Sequence, residues 1–423
     1  MTDIFNVLSA DQARQIKEVF GTPTYVYSQR ALEKNARETL AFPHAFGLTV
    51  RYAMKALPNA AILQLFQNQG LHIDASSGYE VERALQARIH PTKIQLTAQE
   101  LPPQLPGYIL RGVRFNACSL HQLETIGKIA PGSEISVRIN PGKGSGANGK
   151  VNVGGFASSF GIWHELIPEV KEIAQTYDLR ITRLHTHIGS GTDPHVWQQV
   201  ALTSLDIVLQ FPEVTTLNLG GGFKVARVPE EKATNLQECG RPIQRALIDF
   251  YHKKARRLHL EIEPGTYLVA NAGVVVSSIN DIVSTDRYTF LKVDSGMTEV
   301  TRPILYAAQH PIAIVSRDPE TDLESRAERE YVVVGHCCES GDLWTPAQGN
   351  AEQIQTRLLP EAEIGDILIL GGAGAYCSAM STKNYNSFPE AAEVLITNNG
   401  SLELIRERQR LEEVTKKEIR ILV

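Results

Sequence analysis

Lys55 stands in the segment Arg51-Tyr-Ala-Met-Lys-Ala56, directly after the apolar, β-branched run Leu48 to Val50, and Pro58 blocks continuation two residues further on. A lysine is therefore expected at the mouth of a buried strand. An ammonium among Tyr52, Met54 and Leu57 is costly unless it is neutralised, paired or used covalently, and a desolvated lysine has the lowered pKa that Schiff-base chemistry needs. The plain alternative is a lysine that snorkels to solvent. Its polar company decides between the two.

Four other stretches could do chemistry. Gly220-Gly221-Gly222 closes an apolar strand, and the lack of side chains there lets backbone N–H groups approach a phosphate, or simply makes a tight turn. Glu263-Pro264-Gly265 ends another strand. A carboxylate there suits holding a ring nitrogen protonated, as the electron sink of pyridoxal phosphate requires, while a capping or salt-bridged glutamate is the plain reading. His185 and His187, two apart, are expected on one strand face. Such a pair could begin the metal site of a hydrolase, but no second histidine pair supplies further ligands, so no metal is expected. Cys338, in Cys337-Cys-Glu-Ser-Gly-Asp342, lies beside acids at a strand end, where a thiol can donate a proton or merely fill a core. The run Gly144-Ser-Gly-Ala-Asn-Gly149 has dinucleotide-binding spacing, but no helix start follows it, and it reads as a loop.

The elements that position these residues follow a regular rhythm. Strand ends are expected at Lys55, Asp74, Thr97, Asn116, Asn140, His187, Gly220 and Glu263, each followed by a helical pattern. Eight such units predict an α/β fold, a (β/α)8 barrel of the TIM type over residues 23–272, with chemistry at the C-terminal strand ends. After 272 the text becomes strand-rich, so residues 273–423, joined by 1–22, are expected to build a mostly-β second domain. Within it, 317–330 reads as a charged hairpin tip and 402–421 as a charged helix.

The 423 residues are 43% hydrophobic and 21% charged, with a net charge of −5, which leaves no basic footprint for nucleic acid. No leader and no apolar run of spanning length is read in the chain, and the five cysteines form no disulfide framework. A cytoplasmic enzyme with a small-molecule partner and no membrane is expected.

Taken in order, the motifs resemble those of the barrel-type (fold type III) pyridoxal phosphate-dependent amino-acid decarboxylases, the diaminopimelate decarboxylases among them most closely. They are Tyr52-Ala-Met-Lys-Ala56, Asp74-Ala-Ser-Ser-Gly-Tyr-Glu80, Arg138-Ile-Asn-Pro141, Ser159-Phe-Gly-Ile162 and His187-Ile-Gly-Ser190, followed by Asn218-Leu-Gly-Gly-Gly-Phe223 and Glu263-Pro-Gly265. Asp294-Ser-Gly-Met297, Arg302-Pro-Ile-Leu-Tyr306, Cys338-Glu-Ser-Gly-Asp342, Gly374-Ala-Tyr376 and Tyr385-Asn-Ser387 complete the series.

The resemblance implies a second domain in the form of a β-barrel and a head-to-tail homodimer with shared active sites. It makes Lys55 the Schiff-base lysine, Glu263 the partner of the pyridine nitrogen, and His187 the residue against the ring face. Asp74 would support the lysine, and Ser190, Gly221, Gly222 and Tyr376 would hold the phosphate. Cys338 would come from the other subunit as proton donor, with Arg302, Tyr306 and Glu339 on the substrate. The implied reaction is meso-diaminopimelate to L-lysine and carbon dioxide. Two departures bear on substrate: Thr266 stands where the family has arginine, and Phe388-Pro389-Glu390 replaces arginines beside proline. Decarboxylation of ornithine, lysine, arginine or a modified amino acid on the same scaffold is therefore the alternative, and a metal-dependent hydrolase using His185 and His187 is the alternative of another class.

Overall fold

The computed structural model describes residues 4–142, 158–187, 191–321 and 323–421. The chain divides into two compact units, one of residues 33–225 with 232–268, the other of 1–32, 226–231 and 269–423.

The first unit is a closed barrel of eight parallel strands: Leu48–Ala53, His72–Ala75, Ile94–Leu96, Arg114–Ala117, Glu134–Asn140, Arg180–His185, Thr216–Asn218 and His259–Ile262. The eighth strand pairs with the first, Leu260 opposite Leu48, which closes the ring. Helices alternate with the strands as the sequence rhythm predicts. Several start on a side-chain cap close behind a strand: Asn59 accepts from the Ala61 N–H, Ser77 from Glu80 and Ser119 from Gln122. These short strand-to-helix turns keep the C-terminal strand ends together at one mouth.

Apolar residues such as Ile73, Leu96, Leu184, Leu217 and Ile262 are fully buried in the strands. The barrel interior is nonetheless crossed by charge. Arg51 forks onto Glu261, with Nη2 to Oε1 at 2.9 Å and Nε to Oε2 at 3.2 Å, and Arg183 also pairs with Glu261. From the sixth strand Arg183 reaches Gln95 Oε1 on the third at 2.9 Å, a span that must cross the barrel. A buried carboxylate shared by two guanidiniums has its lone pairs satisfied, so the network fixes orientation more than it adds stability.

The second unit is built on a nine-stranded sheet. Its centre is Gly273–Ser284, paired antiparallel with Thr24–Ser28, Thr289–Val293 and Ile367–Leu370. Thr24–Ser28 pairs on its other side, in parallel, with Ala392–Ile396. This strand lies within 23–272 in the sequence reading, yet its ladder partners belong to the β unit. The helix Ala10–Phe20, capped by Ser9 and Gln12 in a reciprocal box, buries Ala13 and Ile16 with Val26, Val274, Val276, Ile367 and Ile369.

Two local expectations fail. Residues 402–406 form a strand, Leu402–Arg406, antiparallel to Ala392–Ile396, and only Leu411–Thr415 is helical. Ladder pairing outweighs a charged helical pattern here. Nor is 317–330 a hairpin tip: the flanking strands Ile312–Val315 and Glu328–Val334 pair with other partners, not with each other. Among the described residues no helix is long and apolar enough to cross a membrane.

Candidate active site

Lys55 lies two residues past the first barrel strand, in a single 3-10 turn, Met54–Ala56, closed by the Leu57 N–H on the Met54 carbonyl at 3.1 Å. Met54, Ala56, Tyr52 and Leu57 are buried and Lys55 is exposed. The lysine thus stands exposed at the strand mouth, between two buried flanking residues. The turn is held to the eighth strand's end, because the Ala53 N–H donates to the Pro264 carbonyl at 3.1 Å. A Cβ on Gly265 would lie 3.3 Å from that of Ala53, so the fit is close. The Lys55 charge is felt by Asp74, Glu80, His185 and His187, pulling each pKa down.

Glu263 ends the eighth strand, 8% exposed. Its Oε1 accepts from Asn218 Nδ2 at 2.6 Å and from Gln95 Nε2 at 3.0 Å, while Oε2 faces His185 Nε2 at 3.5 Å. The same Gln95 Nε2 reaches Asp74 Oδ1 at 3.3 Å, and Thr97 Oγ1 donates to that oxygen at 2.9 Å. Burial pushes both carboxyls above the usual range, and for Asp74 the neighbouring Glu263 charge pushes the same way. The Asn218 hydrogen bond and the Arg138 charge work against the rise at Glu263. His185 Nδ1 meets Asn116 Nδ2 at 2.7 Å; an amide NH2 only donates, so Nδ1 accepts and the ring proton sits on Nε2. Burial, then the Arg138 charge, hold His185 well below its ordinary pKa, so it faces Glu263 neutral.

His187 lies beyond the strand, which ends at His185. The two rings, 6.3 Å apart, serve different partners, so the expectation of one shared strand face is corrected. His187 Nδ1 accepts the Gly221 N–H at 3.0 Å, and burial, followed by Arg138, keeps its pKa well down. A Cβ on Gly220 would sit 2.0 Å from that Nδ1, and one on Gly221 2.2 Å from the Glu263 carbonyl oxygen. Gly220 and Gly221 are therefore glycine because His187 and the chain at Glu263 lean directly on them. The first two N–H groups of the triplet are engaged, that of Gly220 by Asn218 Oδ1 at 2.8 Å and that of Gly221 by His187. Among the described residues no group of three His, Cys, Asp or Glu side chains could hold a metal.

The donor set fits pyridoxal phosphate. At the C-terminal ends of the barrel strands stand a carboxyl, Glu263, an amine, Lys55, an imidazole, His187, and a glycine turn. Ser190 lies outside the described residues, as do the glycines between 144 and 149.

The other candidates belong to the β unit. Arg302 and Tyr306 share the short helix Arg302–Tyr306, the guanidinium carbon 5.8 Å from the ring centre. Cys338 is exposed, its N–H donating to Asn386 Oδ1 at 2.7 Å, while Cys337 is buried with its thiol pushed up to about 12, first by burial and then by Asp342. Asp342 orders this loop, accepting the N–H groups of Met297 at 2.7 Å and Cys337 at 3.0 Å. Glu339 is exposed, and Oε1 caps the turn through the Gly341 N–H at 3.1 Å. Tyr376 holds a left-handed backbone, φ 55°, uncommon for a bulky residue. Of the departures, Glu390 is balanced by Lys383 at 2.6 Å and Arg406 at 3.2 Å, and Phe388 stacks on His336 at 3.6 Å. Both residues thus have partners within their own unit.

Gln95, Asn116 and Asn218 were given no role from sequence. Their signal is alternation: Asn116 is itself an expected strand end, and Gln95 and Asn218 lie two residues before the expected ends Thr97 and Gly220, so each shares the face of its strand end. Gln95→Leu should lower stability by about 1–3 kcal/mol, because Arg183 loses an acceptor and two carboxyls lose a donor. Urea unfolding of the cofactor-free protein measures it; an unchanged midpoint would show that Gln95 orients nothing.

The family model for the pyridoxal-dependent decarboxylase, pyridoxal binding domain, matches residues 32–270. The chain belongs to the pyridoxal-dependent decarboxylases, and its cofactor is pyridoxal phosphate. Within that class it is similar to the diaminopimelate decarboxylase of Escherichia coli (strain K12), at 34% identity over 97% of each chain. A crystal structure of a diaminopimelate decarboxylase superposes with a TM-score of 0.89 at 33% identity, covering 97% of this chain and 96% of the other. The Helicobacter pylori diaminopimelate decarboxylase complexed with L-lysine gives 0.82 at 26% identity, over 95% and 98%.

Proposed function

We propose that this carboxy-lyase converts meso-diaminopimelate to L-lysine and carbon dioxide. The observation that carries the mechanistic reading is Glu263, whose first oxygen is engaged by two amide donors while its second lies 3.5 Å from the neutral His185 ring. The substrate follows the relatives of that name, which match the chain almost end to end.

When bound, the cofactor supplies an electron sink for the pair released as the carboxylate leaves. Lys55 Nζ would hold it covalently, and the Glu263 carboxyl would keep a proton on its ring nitrogen. His187, its Nδ1 anchored by Gly221, would pack against the ring, and Gly222, Ser190 and Tyr376 would take the phosphate. Arg302, Tyr306 and Glu339 bind substrate. Once the carboxylate has left as carbon dioxide and the electron pair returns to the carbon that carried it, Cys338 Sγ would give its proton to that carbon and recover one from solvent. Asp74 steadies the lysine turn by charge. We also read the enzyme as cytoplasmic. The direct test is carbon dioxide and lysine formation from meso-diaminopimelate, set against ornithine, lysine and arginine; a higher kcat/KM for any of these would overturn the substrate.

We further propose a head-to-tail homodimer in which Cys338 serves the partner's Lys55. Mixing inactive Lys55→Ala and Cys338→Ala chains then restores about a quarter of wild-type activity, since random exchange makes half the dimers mixed and each mixed dimer has one intact site of two. No recovery after verified exchange would mean self-contained sites.

A further inference from the structure

His185 has no part in the mechanism above, although it stands buried at the end of the sixth barrel strand. Asn116 Nδ2 donates to its Nδ1 at 2.7 Å. The orientation of that amide is itself determined. Thr97 Oγ1 gives its one proton to Asp74 Oδ1, so towards Asn116 Nδ2, at 3.4 Å, it can only accept. The amide oxygen is then turned to Ser136 Oγ, from which it accepts at 2.8 Å. His185 is thereby held in one tautomer with its proton on Nε2, and that nitrogen has no hydrogen-bond partner among the described residues. What it faces, at 3.5 Å, is Glu263 Oε2. All of these residues belong to the barrel unit.

An ionised carboxylate offers about four lone-pair sites. Two on Glu263 are taken, by Asn218 Nδ2 at 2.6 Å and Gln95 Nε2 at 3.0 Å, and Arg183 Nη2 on Gln95 Oε1 turns that glutamine the right way round. The Nε2–H of His185 is aimed at a third, and long hydrogen bonds of this kind shorten when a ligand closes the site. Each of these groups donates, and a donor to a carboxylate favours its charged form. They act against burial, which pushes the Glu263 pKa up. The charges around it are mixed: Arg138 and Arg51 lower it, Glu261 raises it, and Asp74 shares Gln95 with it. His185 is kept neutral by burial first and then by Arg138, with Lys55 acting the same way and Glu261 the other. The neighbouring His187, 6.3 Å away ring to ring, is held neutral too. His185 therefore brings Glu263 a proton without bringing it a charge.

We propose that His185 is a positioning residue for Glu263, donating from Nε2 to its second oxygen, and that Asn116 acts through His185 by fixing the tautomer. This role rests on the reading of Glu263 as the partner of the cofactor's ring nitrogen. Three uncharged donors keep the buried carboxyl ionised and leave it about one lone pair, the one for the ring N–H. A cation in place of the imidazole would also ionise Glu263, but it would compete with the ring nitrogen for the carboxylate charge.

The cofactor-free protein carries the first test. At neutral pH its 15N spectrum should show His185 protonated on Nε2 and bare on Nδ1. The Glu263 carboxyl, identified in 13C spectra by its absence from Glu263→Gln, should titrate about one to two pH units higher in His185→Leu than in wild type, the scale of losing one hydrogen bond to a charged group. His185→Gln, whose amide NH2 can take the place of Nε2–H, should undo more than half of that change. In the holoenzyme His185→Leu should lower kcat about ten- to a hundredfold at neutral pH and less as pH rises, with KM moved by no more than about threefold. His185→Gln should recover most of the loss. Asn116→Ala leaves His185 in place and frees its tautomer, so both ring nitrogens should be partly protonated and the Glu263 titration should move in the same direction by less; it carries the test should the Leu variant not fold. A wild-type proton on Nδ1, or a Glu263 titration unmoved in both His185→Leu and Asn116→Ala, overturns the assignment. Equal losses in the Leu and Gln variants also overturn it and make His185 a packing residue. Full kcat in Glu263→Gln removes the reading of Glu263 itself, a result separate from the titration in cofactor-free protein.

Discussion

Lys55→Ala is expected to abolish both turnover and the visible absorption band of the protein-bound Schiff base. The loss in kcat should be at least ~10⁴-fold, since no other amine stands in the Met54–Ala56 turn to replace the covalent anchor. The change should leave the fold intact. Lys55 is exposed while both neighbours are buried, so truncation opens no core cavity. Thermal unfolding of the cofactor-free variant should match the wild type. A variant that kept the band and its activity would remove Lys55 from the mechanism.

Glu263→Gln should cost about a hundred- to a thousandfold in kcat, the scale of losing one preorganised charge at a reacting centre. The glutamine oxygen can still accept from Asn218 and Gln95, while its NH2 replaces the charged oxygen opposite His185 Nε2. Stability should move the other way. The folded Glu263 carboxyl holds its proton more tightly than the unfolded one, so its ionisation penalises the folded state. That penalty is absent below the unfolded carboxylate range and grows as pH rises through the folded pKa. Above it, the cofactor-free Gln variant should therefore be at least as stable as wild type in urea. A variant that is active and less stable at pH 8 would mean that Glu263 is a structural ion-pair partner.

By itself the sequence determined the elements and the strand ends. Short apolar runs alternating with helical patterns carry their own periodicity, and a parallel barrel brings its C-terminal ends to one mouth whatever fills the interior. Lys55, Asp74, His187, the glycine triplet and Glu263 could thus be picked out before any geometry was known, and the motif order carried the chemistry. Reading failed where a local pattern had a tertiary rival: Leu402–Arg406 is charged enough for a helix but is drawn into a ladder beside Ala392–Ile396. What only the tertiary structure decided is which polar atoms meet. Gln95 bridges two carboxyls, Arg183 crosses the barrel to orient it, and Arg227 lies beside Gly372, 145 residues away in the chain. Hydrogen bonds act over about 3 Å and require aligned donors and acceptors, so they depend on how distant strands and loops are brought together in space. No spacing along the chain encodes that, and a buried polar residue looks the same in sequence whether it bonds to a neighbour or waits for a ligand.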